Sequence, residues 1–167
     1  LVKDALHLLT LAGLIVPVKH TSANGLPLGA EENDNYVKYL FFDLGVMQTM
    51  LGNPPSDTLL ASEVDFVNKG AASEMFAGLE LLKYHDCFQK AEMHYWQNTA
   101  KNALSEVDYL IAKNGKVLPI EVKASTQGSM QSLWVFMRKH RIHDGVRTSL
   151  ENFGQLYYYD SAADQAE

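Results

Sequence analysis

Asp108, Glu121 and Lys123 stand on two alternating runs joined by Asn114-Gly115, within Ser105-Glu-Val-Asp-Tyr-Leu-Ile-Ala-Lys-Asn-Gly-Lys-Val-Leu-Pro-Ile-Glu-Val-Lys123. Two carboxylates with a lysine beside them can hold a divalent cation and activate a water. Asn-Gly between alternating apolar positions favours a two-residue type I′ hairpin turn. With that turn, Lys113 pairs with Lys116, Asp108 lies across from Glu121, and Glu106 lies across from Lys123. Val107, Tyr109 and Ile111 then oppose Val122, Ile120 and Leu118, an apolar face to be buried. A slip of one residue would turn charges into the core, so the register is strongly specified. The 108/121 pair falls in a non-hydrogen-bonded position, where side chains approach most closely. Pro119 falls in the same class. A third strand alongside it needs a bulge or an interruption, because proline offers no N–H.

Like charges directly opposed in a sheet are destabilising. Solvent, a neighbouring cation or a bound metal must offset the repulsion. The plain alternative to a metal site is a solvated sheet face on which Glu106 and Lys123 form an ion pair, with the other face buried.

The elements that must position these residues follow from periodicity. Ala71 to about Tyr84 has helical spacing. At about 100° per residue, Gly78 and Leu81 fall beside Glu74, and Leu82, Met75, Leu79 and Phe76 continue that arc. Glu74 thus sits at the edge of the core-facing arc, where a carboxylate is costly unless paired or bound. It is a fourth candidate, or else a rim residue partnered by a lysine. Strands are expected near Met93–Gln97, Ser105–Lys113 and Val117–Ala124, a helix at about Met130–His140, and strands near Val146–Glu151 and Gln155–Asp160. This order is helix, three-strand meander, helix, strand, which predicts an α/β fold with a mixed sheet flanked by helices.

Ahead of it, Leu1–Ala12 reads as a helix stopped by Gly13, and Leu14–His20 as a strand. Thr21–Asn35 reads as a polar loop and Tyr36–Phe42 as a second strand. This pattern is similar to the last helix and wing of a winged helix-turn-helix; a small helix-hairpin appendage is the plainer reading. Asp43 caps a short helix to Leu51, closed by Gly52-Asn-Pro-Pro, and Ser62 caps another. The expected division is a winged-helix-like remnant at 1–43, the main α/β domain at 44–160 and a polar tail at 161–167.

The 167 residues carry a net charge of -6, against a strong autonomous nucleic-acid binder, which needs clustered Lys and Arg. An acidic metal site would itself add negative charge, so a nuclease stays open. Cys87 is the single cysteine, which excludes an internal disulfide and a cysteine zinc site. No apolar run approaches the ~20 residues that span a bilayer and no signal peptide is visible, so no membrane partner and a cytoplasmic setting are expected. The start at Leu1 without methionine suggests a fragment of a longer protein.

Asp108, then Glu121-Val-Lys123 on the next strand, with Glu74 on a preceding helix, resembles the PD-(D/E)XK pattern of restriction-endonuclease-like nucleases. Val107 stands where the pattern has proline. Tyr39-Leu-Phe-Phe-Asp-Leu-Gly45, Gly70-Ala-Ala-Ser-Glu74, Tyr95-Trp96, Glu106-Val-Asp-Tyr109, Pro119-Ile-Glu-Val-Lys123 and Ser132-Leu-Trp134 occur in that order. Together they resemble the C-terminal domain, of unknown function, of a family of prokaryotic AAA-type P-loop ATPases. The resemblance covers roughly residues 1–160. It implies a restriction-endonuclease-like core, with Asp108, Glu121 and Glu74 as ligands of Mg²⁺ or Mn²⁺, which suit hard oxygen donors. It makes Lys123 the residue that orients water and stabilises phosphate charge, so the catalytic set is Glu74, Asp108, Glu121 and Lys123. Glu106, a further carboxylate on the same face, is expected to pair with Lys123, with metal binding as the alternative role. The implied partners are DNA and an N-terminal P-loop ATPase domain. No Gly-x-x-x-x-Gly-Lys-Ser/Thr is present here, so no ATP site is expected in this chain.

His7, His20, His85, His94, His140 and His143 are scattered, and His140 reads as part of a solvated helix end. Trp96, Tyr95, Trp134 and Phe136 read as core. Two functions remain in view: metal-dependent DNA phosphodiester hydrolysis coupled to an ATPase, or a catalytically silent nuclease-like module for DNA or protein binding and regulation of that ATPase. Oligomeric state is left open.

Overall fold

The computed structural model describes residues 1–52, 69–88, 90–99, 105–126 and 128–159. Helix α1 (Val2–Leu11) leads into strand β1 (Ile15–Thr21), a 3-10 turn (Leu28–Glu31) and β2 (Glu32–Phe41). Helix α2 (Leu44–Met50) and helix α3 (Lys69–Lys83) follow. Then come β3 (Met93–Gln97), β4 (Glu106–Lys113), β5 (Lys116–Val122), helix α4 (Gln131–His140) and β6 (Val146–Thr148). The strands form one mixed, open, six-stranded sheet in the order β2-β1-β3-β4-β5-β6.

Local chemistry explains several boundaries. Gly13, at φ 71°, follows the last turn of α1 in the left-handed conformation that glycine adopts without penalty. Asp43 caps α2 by accepting the Val46 N–H at 2.9 Å. Asn114 and Gly115 take φ of 52° and 73°, as a type I′ turn requires. The hairpin register is the expected one from Lys113↔Lys116 through Tyr109↔Ile120.

Each face of the sheet carries a core. On one, Val18, Leu40, Met93, Tyr95, Tyr109 and Ile120 pack with Met47 of α2 and Met75 of α3. On the other, Trp96, Val107, Leu110 and Val117 pack with Leu133 and Phe136 of α4. The sheet is therefore covered on both sides, and the hairpin has no freely solvated face. Trp96 and Phe136 are core, as their aromatic character suggests, whereas Trp134 stacks on Tyr158 with ring centroids 4.0 Å apart.

The helix and two strands expected as a winged-helix-like unit at 1–43 are present, but they are not set apart. β1 pairs antiparallel with β2 and parallel with β3, aligning Val18, Lys19 and His20 with Met93, His94 and Tyr95. β2 also starts earlier than its pattern suggests. The partner of β1 steps from Val37 to Asn33 between Lys19 and His20, so the strand bulges and resumes at Asn33 and Glu32.

β6 is short and pairs parallel with β5 at Ile120, Glu121 and Val122, starting just beyond Pro119. The interruption demanded by that proline is met by where the strand begins. Residues 155–159, expected as a strand, take no regular form. No strand pairing among the described residues involves them, and Leu156 and Tyr157 are exposed. The helix expected at Ser62 and the tail 161–167 lie outside the described residues. Among the described residues, no helix is long and apolar enough to cross a membrane.

Candidate functional site

A bulge in β4 sets the site. Along β3, His94 pairs with Leu110 and Trp96 with Val107, so two steps on β3 span three on β4. The extra residue falls at Asp108-Tyr109. It explains why Val107 packs with Trp96 on one face while Tyr109, two residues on, packs with Met93 and Ile120 on the other. Regular alternation would have kept Val107, Tyr109 and Ile111 together. Bulges re-aim side chains, and this one leaves Asp108 with two contacts of consequence. Its Oδ2 accepts the Val122 N–H at 2.7 Å. Its carboxylate also joins those of Glu74 and Glu106, with one oxygen from each lying within 4.8 Å of the others.

Glu74 reaches this point because α3 lies very close to the sheet. Tyr109 Oη donates to the Glu74 carbonyl at 2.7 Å. A Cβ on Gly78, one turn further on, would stand 2.4 Å from that hydroxyl oxygen and 2.6 Å from Leu40 Cδ1, so only glycine permits the approach. The helical phase does bring Glu74 to the rim of the buried arc, although Phe76, expected on the same arc, is exposed.

Lys38, on β2, completes the cluster. Its Nζ donates to Glu74 Oε1 at 2.9 Å and to Glu106 Oε1, and it lies 4.7 Å from the centroid of the Tyr95 ring. The pairing expected between Glu106 and Lys123 is not formed: Glu106 goes to Lys38, and Lys123 goes to Glu121. Lys123 Nζ donates to Glu121 Oε1 at 2.6 Å. Glu121 is 5% exposed, and its Oε2 is buried without a hydrogen-bond partner. The stem of Lys123 runs over bare backbone at Gly128, where a Cβ would stand 2.8 Å from Lys123 Cδ. Glu121 and Lys123 therefore form a unit beside the Glu74–Glu106–Asp108 group and are not members of it.

The electrostatics follow from burial. Desolvation pushes the Asp108 carboxyl up to about 7; the Val122 N–H opposes this, and the charges of Glu74 and Glu121 reinforce it. Burial also raises Glu121, against the stabilising hydrogen bond from Lys123. Burial works against the charge on Lys38, but Glu74 and Glu106 outweigh it and hold its pKa above the ordinary lysine range. Hard carboxylate oxygens converging on one point, with a further buried oxygen at Glu121 left unsatisfied, make a donor set suited to a divalent cation.

Sequence reasoning passed over Lys38 and gave Glu106 another partner. A signal for Lys38 existed: it shares strand phase with Leu40, which is buried, and a lysine on a core-facing phase needs a carboxylate. A second cluster was also missed. His94 Nε2 lies 2.8 Å from Glu32 Oε1, Glu92 is close by, and Lys19 bonds Glu32 Oε2 at 2.5 Å. His94 is buried in this network instead of standing alone. His140 likewise packs on Phe136 and Trp96, and burial lowers its pKa.

No curated protein and no solved structure matches this chain. A domain of unknown function, DUF4143, matches residues 69–164, the stretch that carries Glu74, Glu106, Asp108, Glu121 and Lys123 but not Lys38. Since that match spans more than half of the 167 residues, the chain belongs to the DUF4143 domain family.

Proposed function

We propose that this chain is a nuclease-like domain with a restriction-endonuclease-like core, part of a larger AAA-type P-loop ATPase, and that its site hydrolyses DNA phosphodiester bonds with Mg²⁺ or Mn²⁺ bound. The observation that carries this reading is the convergence of Glu74, Glu106 and Asp108 to within 4.8 Å of one another, beside the Glu121–Lys123 unit on the next strand. The order α3, β3–β4–β5 meander, α4, β6 is the one such a core requires. In this reading α1, β1 and β2 stand where a winged-helix unit would lead in from the ATPase.

Glu74 and Asp108 would hold the cation, with Glu106 beside them and the unsatisfied Oε2 of Glu121 offered as a further donor. The cation, when bound, supplies a more acidic water and neutralises phosphoryl oxygen charge. Lys123, held by Glu121 and by its packing on Gly128, orients the attacking water and stabilises negative charge on the phosphoryl oxygens. A DNA backbone entering here meets an acidic chain, so binding depends on the cation and on basic surface supplied elsewhere in the assembly.

The experiment is a nicking assay on supercoiled, branched and single-stranded DNA with Mg²⁺ or Mn²⁺. Wild type should cleave, and Asp108→Ala, Glu121→Ala and Lys123→Ala should each lower the rate by roughly 10²-fold or more. Equal background cleavage by all four proteins would remove the catalytic reading. The second reading, a silent nuclease-like module that binds DNA or protein and regulates the ATPase, would then stand. It is favoured by the net charge of -6 and by the ammonium already lodged between Glu74 and Glu106.

A further inference from the structure

We infer that Lys38 is a built-in counter-cation: its ammonium occupies the place among Glu74, Glu106 and Asp108 that a divalent cation needs, so cation entry requires Lys38 to withdraw. The inference rests on the metal-binding reading above and adds a control to that site. Lys38 Nζ bonds Glu74 Oε1 at 2.9 Å and also bonds Glu106 Oε1, so it engages two of the three carboxylates that converge. Its side chain is only 25% exposed, with the ammonium over the Tyr95 ring. A Mg²⁺ ion would bind the same carboxylates at ~2.1 Å, which puts it within a few ångströms of the ammonium. Two cations so close in a partly buried site repel strongly, and they also compete for the same lone pairs.

The arrangement has a reason in the absence of a metal. Three carboxylates brought together with no cation would repel one another. Lys38 offsets part of that charge and keeps the group assembled. Tyr95, 4.7 Å from the ammonium, adds a cation–π contact that helps hold Lys38 in this place. Lys38 also comes from β2, outside the stretch 69–164 that carries the carboxylates. The N-terminal strands therefore set how readily the site takes a cation.

The test is calorimetric titration of the full chain with Mn²⁺ and Mg²⁺, for wild type and Lys38→Met, which keeps the stem and removes the charge. Lys38→Met should bind Mn²⁺ roughly tenfold or more tightly than wild type. Without metal its Tm should be lower than that of wild type, and Mn²⁺ should raise its Tm by more. Adding Asp108→Ala to either protein should abolish the binding, which assigns it to this site. Should Lys38→Met not fold, the unaltered chain decides. With 13C at lysine Cε, the Lys38 signal should move with Mg²⁺ along the same saturation curve as the calorimetric heat. If wild type binds and Lys38→Met binds equally or more weakly, or the Lys38 signal stays fixed at saturation, Lys38 is a structural ion pair and the inference is overturned while the metal site stands. If neither protein binds either cation, the metal-binding reading and the inference fall together.

Discussion

At the scale of single residues, Asp108 is a carboxyl that the fold makes hard to ionise. Burial pushes its carboxyl from 3.8 up to about 7, so the folded chain holds this proton more tightly than the unfolded chain does. The folded state binds the extra proton between those two values. Stability from this group therefore falls as pH rises through that window, and the whole burden is present above about 7. Asp108→Asn keeps an oxygen to accept the Val122 N–H and removes the ionisation. It should be more stable than wild type above pH 7, by on the order of a few kcal/mol, with the gain vanishing as pH falls toward 4. Thermal melts of both proteins across that range check this. A gain independent of pH would show that Asp108 ionisation is not what burdens the fold.

At the scale of elements, the contact between α3 and the sheet is the one with least slack. Gly78 lets the helix descend onto Tyr109 and Leu40, and Tyr109 Oη then bonds the Glu74 carbonyl. Gly78→Ala would gain up to ~1 kcal/mol in helix propensity but would drive a methyl into the Tyr109 hydroxyl. Overpacking of this kind costs about 1–3 kcal/mol, so the net effect should be destabilising. Denaturant unfolding should show a lower midpoint with an unchanged slope. A higher midpoint would mean that α3 lifts off at no cost, and that Glu74 is not held where the site needs it. The hairpin at this scale was readable in advance, because Asn114-Gly115 and the polar–apolar alternation agree on one register. The bulge at Asp108-Tyr109 was not. Glu106-Val-Asp-Tyr109 alternates perfectly well as a regular strand, and only the pairing with the preceding strand β3 adds the extra step.

At the scale of the whole molecule, residues 1–43 and the later elements share a core. Val18 and Leu40 are buried among Met93, Tyr95, Tyr109 and Ile120, and β1 is the sheet neighbour of β3. Each large apolar side chain removed from that core forfeits about 1.5–3 kcal/mol, against a total stability of roughly 5–15 kcal/mol. A chain shortened to residues 44–167 should therefore lose its cooperative thermal transition and its dispersed amide spectrum. A sharp melt from that shortened chain would show that 44–160 is a unit in its own right. The same geometry ties Lys38 to the carboxylates across elements distant in the chain, so the N-terminal strands and the site stand or fall together.

Local features were legible in the residues alone: the I′ turn, the hairpin register to Tyr109↔Ile120, the stop at Gly13, the Asp43 cap and the phase that brings Glu74 to the rim of its helix. Each is set by backbone preference or by periodicity over a few neighbouring residues. The tertiary structure alone decided which charges meet. Glu106 and Lys123 lie opposite each other in the hairpin's expected register, yet Lys38, from a strand more than sixty residues before Glu106, takes Glu106 and Glu74, and Lys123, just past the end of β5, turns back to Glu121. Long flexible side chains follow the field of the folded whole, and that field exists only once β1 has joined β3 and α3 has closed over the sheet.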